Sequence, residues 1–217
     1  MAAAGRRRGL ELRAARAHFG CVPQLPLFHD ESRVLLDGAS GHVRYVAGCM
    51  PVAQADAWFE QLRDTVPWRS QRRMMYEREV DVPRLTAHFA LEDPALPDVI
   101  RAAADVVSAV ARASFNSAGL NFYRDGNDSV APHNDRLAEL VAGAPIALLS
   151  LGATRRMTIA AKDGSHRPLH VDLDAGSVLV MDYASQLHFV HGVAKTRGFP
   201  GARISVAFRL RSRREAW

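Results

Sequence analysis

A chain of 217 residues with 48% apolar and 24% charged side chains has the make-up of one globular domain with a substantial core. No apolar run approaches the ~18–20 residues needed to cross a bilayer, so no membrane partner is expected. The formal charge is +5, but residues 1–20 carry four of those charges (five arginines against Glu11), and the rest of the chain is close to neutral. The charge is therefore no evidence by itself for a nucleic-acid-binding surface. Cys21 and Cys49 form no CxxC pair and no disulfide framework, which points to a reducing compartment, the cytoplasm of a bacterial-type cell. The Ala/Arg-rich start superficially resembles an organellar transit peptide; a flexible basic arm over residues 1–20 is the preferred expectation, followed by a single domain over 21–217.

In chain order, RVLLDGASGHVRYVAG reads as two short strands around Asp37-Gly38. Pro51 opens a helix to about Val66, with Val52, Ala55, Phe59 and Leu62 at helical spacing, and Pro67 ends it. A basic, polar stretch, WRSQRRMMYEREVDVPR, and then TAHFALEDP follow, giving a lid over about 67–95. A second helix is expected from about Leu96 to Phe115, with a stripe of Val99, Ile100, Ala103, Val106, Val107 and Val110. From Ala118 the texture changes to short apolar runs between turns such as Asp125-Gly126, Asp163-Gly164 and Ala175-Gly176. Eight strands are expected, at 118–124, 130–135, 145–151, 155–161, 167–173, 177–182, 188–193 and 202–210. Without helical crossovers they indicate a mainly β, jelly-roll core over about 118–211, preceded by N-terminal helices.

Three pieces in this half carry chemistry. His133 and Asp135 are two apart on an expected strand, so their side chains leave one face. His170-Val171-Asp172 is a second match to the same pattern. It lies under 22 residues before His191, room for one hairpin, and its alternation with Val171 and Leu173 suits an outward polar edge. His133 and Asp135 precede His191 by 58 and 56 residues, enough for several strands to bring a third ligand in from the opposite wall of a barrel. His188 competes with His191 for that place; the following Gly192-Val193 and the spacing to Arg203 favour His191. Two imidazoles and a carboxylate form the facial triad of a non-heme Fe(II) site, which leaves positions open for a bidentate co-substrate and O2. On the last strand Arg203, Ser205, Ala207 and Arg209 alternate with Ile204, Val206 and Phe208. Two inward arginines among small residues call for an anion, since a guanidinium is costly to bury unpaired, and its fork suits a carboxylate. A 2-oxoglutarate-dependent oxygenase is expected.

From about Val43 to Arg209 the chain resembles the AlkB family of nucleic-acid dealkylating dioxygenases. The likeness is carried by VPRLTAHF, NFYRDG, His133-Asn134-Asp135, PIALLSLGATRRM, GSVLVM with QLHFVHGVAK, and RISVAFR, in that order. It implies a double-stranded β-helix in which His133, Asp135 and His191 hold Fe(II) and Asn121, Tyr123, Arg203, Ser205 and Arg209 line the 2-oxoglutarate site. Arg203 and Tyr123 would lie near the distal carboxylate, and Arg209 near the carboxylate next to the keto group. The implied reaction is oxidative removal of an N-methyl group from a base in DNA, with RNA as a second polymer, releasing formaldehyde.

The chain departs from the family on the substrate side. Leu137 stands where well-known members carry an acidic base contact, and an aromatic segment after the recognition motif is absent. Tyr76, His88 and Phe89 are the candidates to replace it, with Met75 and Tyr76 at the place of a DNA-inserting finger and Arg72, Arg73 and Arg84 as backbone contacts. The substrate-binding candidates are thus Tyr76, Arg84 and His88, on a monomer. Oxidation of a protein side chain or small molecule is the second expectation, and a catalytically silent jelly-roll binding module the third.

Overall fold

The computed structural model describes residues 32–75, 78–198 and 200–212, and the side chains of these save 71–81. The expected basic arm and Tyr76 lie outside the described residues. Twelve strands and three α-helices follow in the order β1 (Ser32–Gly38), β2 (Gly41–Val46), α1 (Val52–Thr65), β3 (Arg69–Met75), β4 (Arg78–Ala90), α2 (Asp98–Ala111), β5 (Ser117–Tyr123), β6 (Val130–His133), β7 (Ile146–Gly152), β8 (Arg155–Ala161), β9 (Leu169–Leu173), β10 (Val178–Met181), α3 (Tyr183–His188), β11 (Phe189–Val193) and β12 (Arg203–Arg209), among the described residues.

All pairings are antiparallel. The major sheet has the order β1-β2-β10-β7-β12-β5-β4-β3 and the minor sheet the order β6-β11-β8-β9. This is a jelly roll with one face of the major sheet covered by α1 and α2. The two layers explain why its central strands read as nearly unbroken apolar runs. On β7, Ala147, Leu149 and Leu151 pack toward the helices, while Ile146 and Leu148 pack between the sheets. On β10, Val178 and Val180 take the first side and Leu179 and Met181 the second. On β12, Ile204, Val206 and Phe208 join the helix-side core, which leaves the alternate residues Arg203, Ser205, Ala207 and Arg209 for the space between the sheets.

The eight expected core strands are present, each end within two residues of its expected position. Elsewhere the structure differs from expectation. The stretch read as a lid contains the β3–β4 hairpin, which continues the major sheet through pairing of Leu85–Ala90 with β5. In α1, Ala55 and Leu62 are buried but Val52 is 70% exposed, so the first expected core position of this helix faces solvent. Helix α2 stops at Ala111, where Arg112 adopts a left-handed conformation (φ 53°) and its backbone N–H caps Ser108. Residues 183–188, expected as a connection into a strand, form α3, whose first turn is capped by the Asp182 side chain accepting from the Ser185 N–H at 2.8 Å.

Candidate active site

The antiparallel pairing of β6 with β11 sets His133 directly opposite His191, and the two rings lie 4.6 Å apart, tilted by 51°. They come from neighbouring strands of the minor sheet, not from opposite walls. The close approach depends on Gly192: a Cβ there would stand 2.9 Å from the Val130 carbonyl oxygen and 3.0 Å from the Pro132 nitrogen. The His133 Nδ1 is 2.9 Å from the Ala131 carbonyl, so this nitrogen carries the proton and Nε2 keeps its lone pair. His191 is 5% exposed, and burial, then the neighbouring His133, push its pKa down to about 4, against the opposite pull of Asp135. At neutral pH it is an uncharged imidazole, the form that donates to a metal.

Strand β6 ends at His133, so Asp135 sits just beyond it rather than on it. Its carboxylate accepts from Arg209 Nε at 2.8 Å and Nη2 at 2.9 Å, a bidentate pair reaching over from β12. Its backbone N–H donates to the buried Gln186 Oε1 on α3 at 3.2 Å. Burial raises the Asp135 pKa, but Arg209 and then the two imidazoles outweigh it and hold the carboxyl below the usual carboxylate range. With both oxygens turned onto Arg209, the described residues do not form a ready-made metal cage of three side chains.

At the other end of the inner space, Arg203 is completely buried. Its Nη2 donates to Ser150 Oγ at 2.9 Å, and its Nε and Nη1 have no acceptor among the described residues. Its guanidinium carbon lies 5.3 Å from the Tyr123 ring centroid, and burial lowers its pKa. The strand register lays these groups out in rows: Tyr123, Arg203 and Gly152 across one line, and Asn121, Ser205 and Ser150 across the next. A buried guanidinium with two idle nitrogens costs several kcal/mol in order-of-magnitude terms unless an anion answers it. The surroundings of Arg203 therefore suit a carboxylate-bearing ligand.

A family model described as the 2OG-Fe(II) oxygenase superfamily matches residues 90–209, more than half of the chain. The chain belongs to that superfamily. Within it the likeness is to AlkB-type members. The DNA oxidative demethylase ALKBH2 of Bos taurus is 30% identical over 180 residues, covering 72% of this chain and 64% of the relative. The alpha-ketoglutarate-dependent dioxygenase alkB homolog 3 of Homo sapiens is 30% identical over 181 residues, covering 75% and 63%. This chain thus spans just under two thirds of the length of those relatives. The solved structure of OsALKBH1 matches with a TM-score of 0.56 over 77% of this chain and 97% of that one, at 15% identity, a likeness of fold. The superfamily requires Fe(II), 2-oxoglutarate and O2. The residues present fit: two imidazoles beside a carboxylate are the right donor types, and the idle nitrogens of Arg203 suit a distal carboxylate.

The other expected residues fall into two groups. His170 and Asp172 are exposed on β9, with Asp172 paired to Arg156 at 2.7 Å and His170 to Thr158 at 3.1 Å, as an outward edge should be. His188 ends α3 and is exposed. Arg84 is turned inward: its Nε donates to Asn121 Oδ1 at 2.7 Å and its Nη1 to the Ser129 carbonyl at 3.3 Å, so it braces Asn121 from β4. His88 faces Gly119 across the β4–β5 pairing; a Cβ on Gly119 would lie 3.0 Å from Arg209 Nη1 and 3.4 Å from His88 Nδ1. The imidazole and guanidinium thus share the space above that glycine, and partial burial, then Arg211 and Arg209, lower the His88 pKa. Ser150, Gln186 and Gly119 were not singled out from the sequence. Ser150 lies inside PIALLSLG and shares a row with Ser205, a signal the strand alternation contained; Gln186 had none, since α3 was not expected.

Proposed function

We propose that this chain is an Fe(II)- and 2-oxoglutarate-dependent demethylase that repairs N-alkylated bases of the 1-methyladenine and 3-methylcytosine type in DNA, and secondarily RNA, in a reducing cytoplasm. His133, Asp135 and His191 hold the iron; Asn121, Tyr123, Arg203, Ser205 and Arg209 receive the co-substrate. The observation that carries the reading is the pairing of two facing imidazoles, His133 and His191, beside Asp135 with a fully buried Arg203 that has two idle nitrogens. The names of the relatives supply the substrate class. When bound, iron with 2-oxoglutarate and O2 supplies the oxidation that turns an N-methyl into a hydroxymethyl group, lost as formaldehyde while succinate and CO2 leave.

The protein's own groups do the positioning. Arg209 keeps Asp135 ionised and aimed, the Ala131 carbonyl fixes the tautomer of His133, and the dry surroundings of His191 keep it unprotonated. Arg203 takes the distal carboxylate with the nitrogens that have no protein partner, beside Tyr123. His88 stands at the mouth as a neutral ring for contact with a base, and Arg84, through Asn121, ties the β3–β4 hairpin to the co-substrate.

The decisive experiment incubates the protein with Fe(II), 2-oxoglutarate, air and single- or double-stranded oligonucleotides carrying 1-methyladenine or 3-methylcytosine. Loss of the methyl mass with matching formaldehyde is expected. Consumption of 2-oxoglutarate without demethylation of either base would move the substrate to a protein or small molecule, as Leu137 in the place of an acidic base contact would then explain. No consumption and no binding of 2-oxoglutarate by folded protein would sink the oxygenase reading.

A further inference from the structure

Arg155 opens β8 on the minor sheet and is 3% exposed. Its guanidinium carbon lies 5.7 Å from the Tyr123 ring centroid, close to the 5.3 Å of Arg203, so two buried guanidiniums attend one tyrosine. Arg155 bonds only to carbonyl oxygens: Nη1 to Asp125 at 2.9 Å, and Nη2 to Asp128 at 3.0 Å and Ala194 at 2.8 Å. These acceptors belong to the loop after β5 and the segment after β11, which also meet through the Thr196 N–H and the Gly126 carbonyl at 2.9 Å. Carboxylates are near but committed elsewhere. Both Asp128 oxygens are held by Arg124 at 2.8 and 2.9 Å, and Asp125, exposed on its loop, accepts from the Asn127 N–H. Neither Arg155 nor Arg203 has an ion-pair partner among the described residues, and the charge on Arg155 works against that on Arg203.

Two unpaired like charges in one dry region are costly by themselves, and become favourable together once an anion enters. Carbonyl dipoles satisfy the hydrogen bonds of Arg155 without cancelling its charge, and in a low-dielectric interior that charge reaches past the first layer of side chains. We propose that Arg155 is a positioning residue for the far carboxylate of the co-substrate: it fixes Tyr123 and the two loops behind it, and adds a second, only partly balanced positive charge to that end of the site. The proposal rests on the reading in which Arg203 receives this carboxylate. Arg155 acts through Tyr123 and through its field, without touching the diacid.

The test measures binding to the full chain by calorimetry, with Mn(II) in place of iron. The probes are 2-oxoglutarate and 2-oxopentanoate, which has the same carbon chain but no far carboxylate. The wild type should prefer the diacid. Arg155→Met and Arg155→Gln should each cut that preference about tenfold, with little change for the monoacid, whereas Arg155→Lys should retain most of it. Arg155→Gln keeps donors for the loop carbonyls, so it carries the test should the methionine variant not fold. An undiminished preference in Arg155→Gln, or equal weakening of both probes, would overturn the proposal and leave Arg155 a loop fastener. A wild type without preference, or an Arg203→Met variant that keeps it, would overturn the underlying reading of Arg203 as well, and so marks a different failure.

Discussion

Asp135, mostly buried, and Arg203, completely buried, are charged side chains on the inner face of the jelly roll, and the fold treats them in opposite ways. Asp135 has a bidentate partner in Arg209 and a glutamine on its backbone, so its charge is balanced before anything binds. Arg203 has one hydroxyl for its guanidinium and two nitrogens without acceptors. The first arrangement holds a group in one ionisation state and direction; the second stores an unmet demand that only a ligand meets. Positioning and affinity are thus divided between two ends of one chamber, and substitutions should separate them.

The largest effect is expected at Asp135. Asp135→Ala should lower 2-oxoglutarate turnover by about 100-fold or more while Asp172→Ala, on the exposed β9 edge, leaves it intact; the reverse pattern in an oxygen-consumption assay would transfer the site to the other His-x-Asp pair. Next is a pH effect on the EDTA-treated protein. The unfolded chain binds a proton at His191 near pH 6.5, whereas the folded chain resists until about pH 4. Stability is therefore full above the higher value and falls as pH drops through this window, by up to about 3 kcal/mol. Urea titrations at pH 7 and pH 4.5 check it, and a variant with His191→Gln should show a flatter profile.

Arg203→Met should weaken 2-oxoglutarate binding on the order of 50-fold while leaving the ligand-free melting temperature unchanged or higher, since a half-satisfied buried cation has been removed. A large drop in melting temperature would show that Arg203 is structural and erase the contrast with Asp135. Smallest is Arg84→Gln, which should raise the KM for 2-oxoglutarate about fivefold through a loosened Asn121. No change in that constant together with weaker DNA binding would return Arg84 to a phosphate-contact role.

The core strands were legible because each is a short apolar run closed by a turn such as Asp163-Gly164, and because β12 announces its two faces by alternating arginine and aliphatic residues. The β3–β4 hairpin was not legible. Its sequence is polar and arginine-rich, and what makes it a strand is the partner edge offered by β5 rather than its own pattern. Helix α3 escaped for a related reason: six residues fastened by Asp182 at one end and Lys162 on the Gln186 and Leu187 carbonyls at the other have no periodicity to read. The candidate ligand residue types and their order were in the sequence, whereas the neighbour relation of β6 and β11 was not, since chain separation bounds how far apart two strands can be and says nothing of how close they come. Arg84 shows the same limit, an arginine whose inward turn depends on where Asn121 stands.

The double duty of β12 has a consequence for how such a chain can change over generations. Because its odd-numbered residues face the space between the sheets and its even-numbered ones fasten the helices, inserting a single residue between Arg203 and Ile204 while keeping the pairing of Arg203 would push Ile204, Val206 and Phe208 into the space between the sheets and drive Arg209 beneath α1 and α2. Variation in length is therefore barred from the strand and diverted to the connections around it, such as the stretch between Val193 and Arg203, where a residue can be gained or lost without exchanging the two faces.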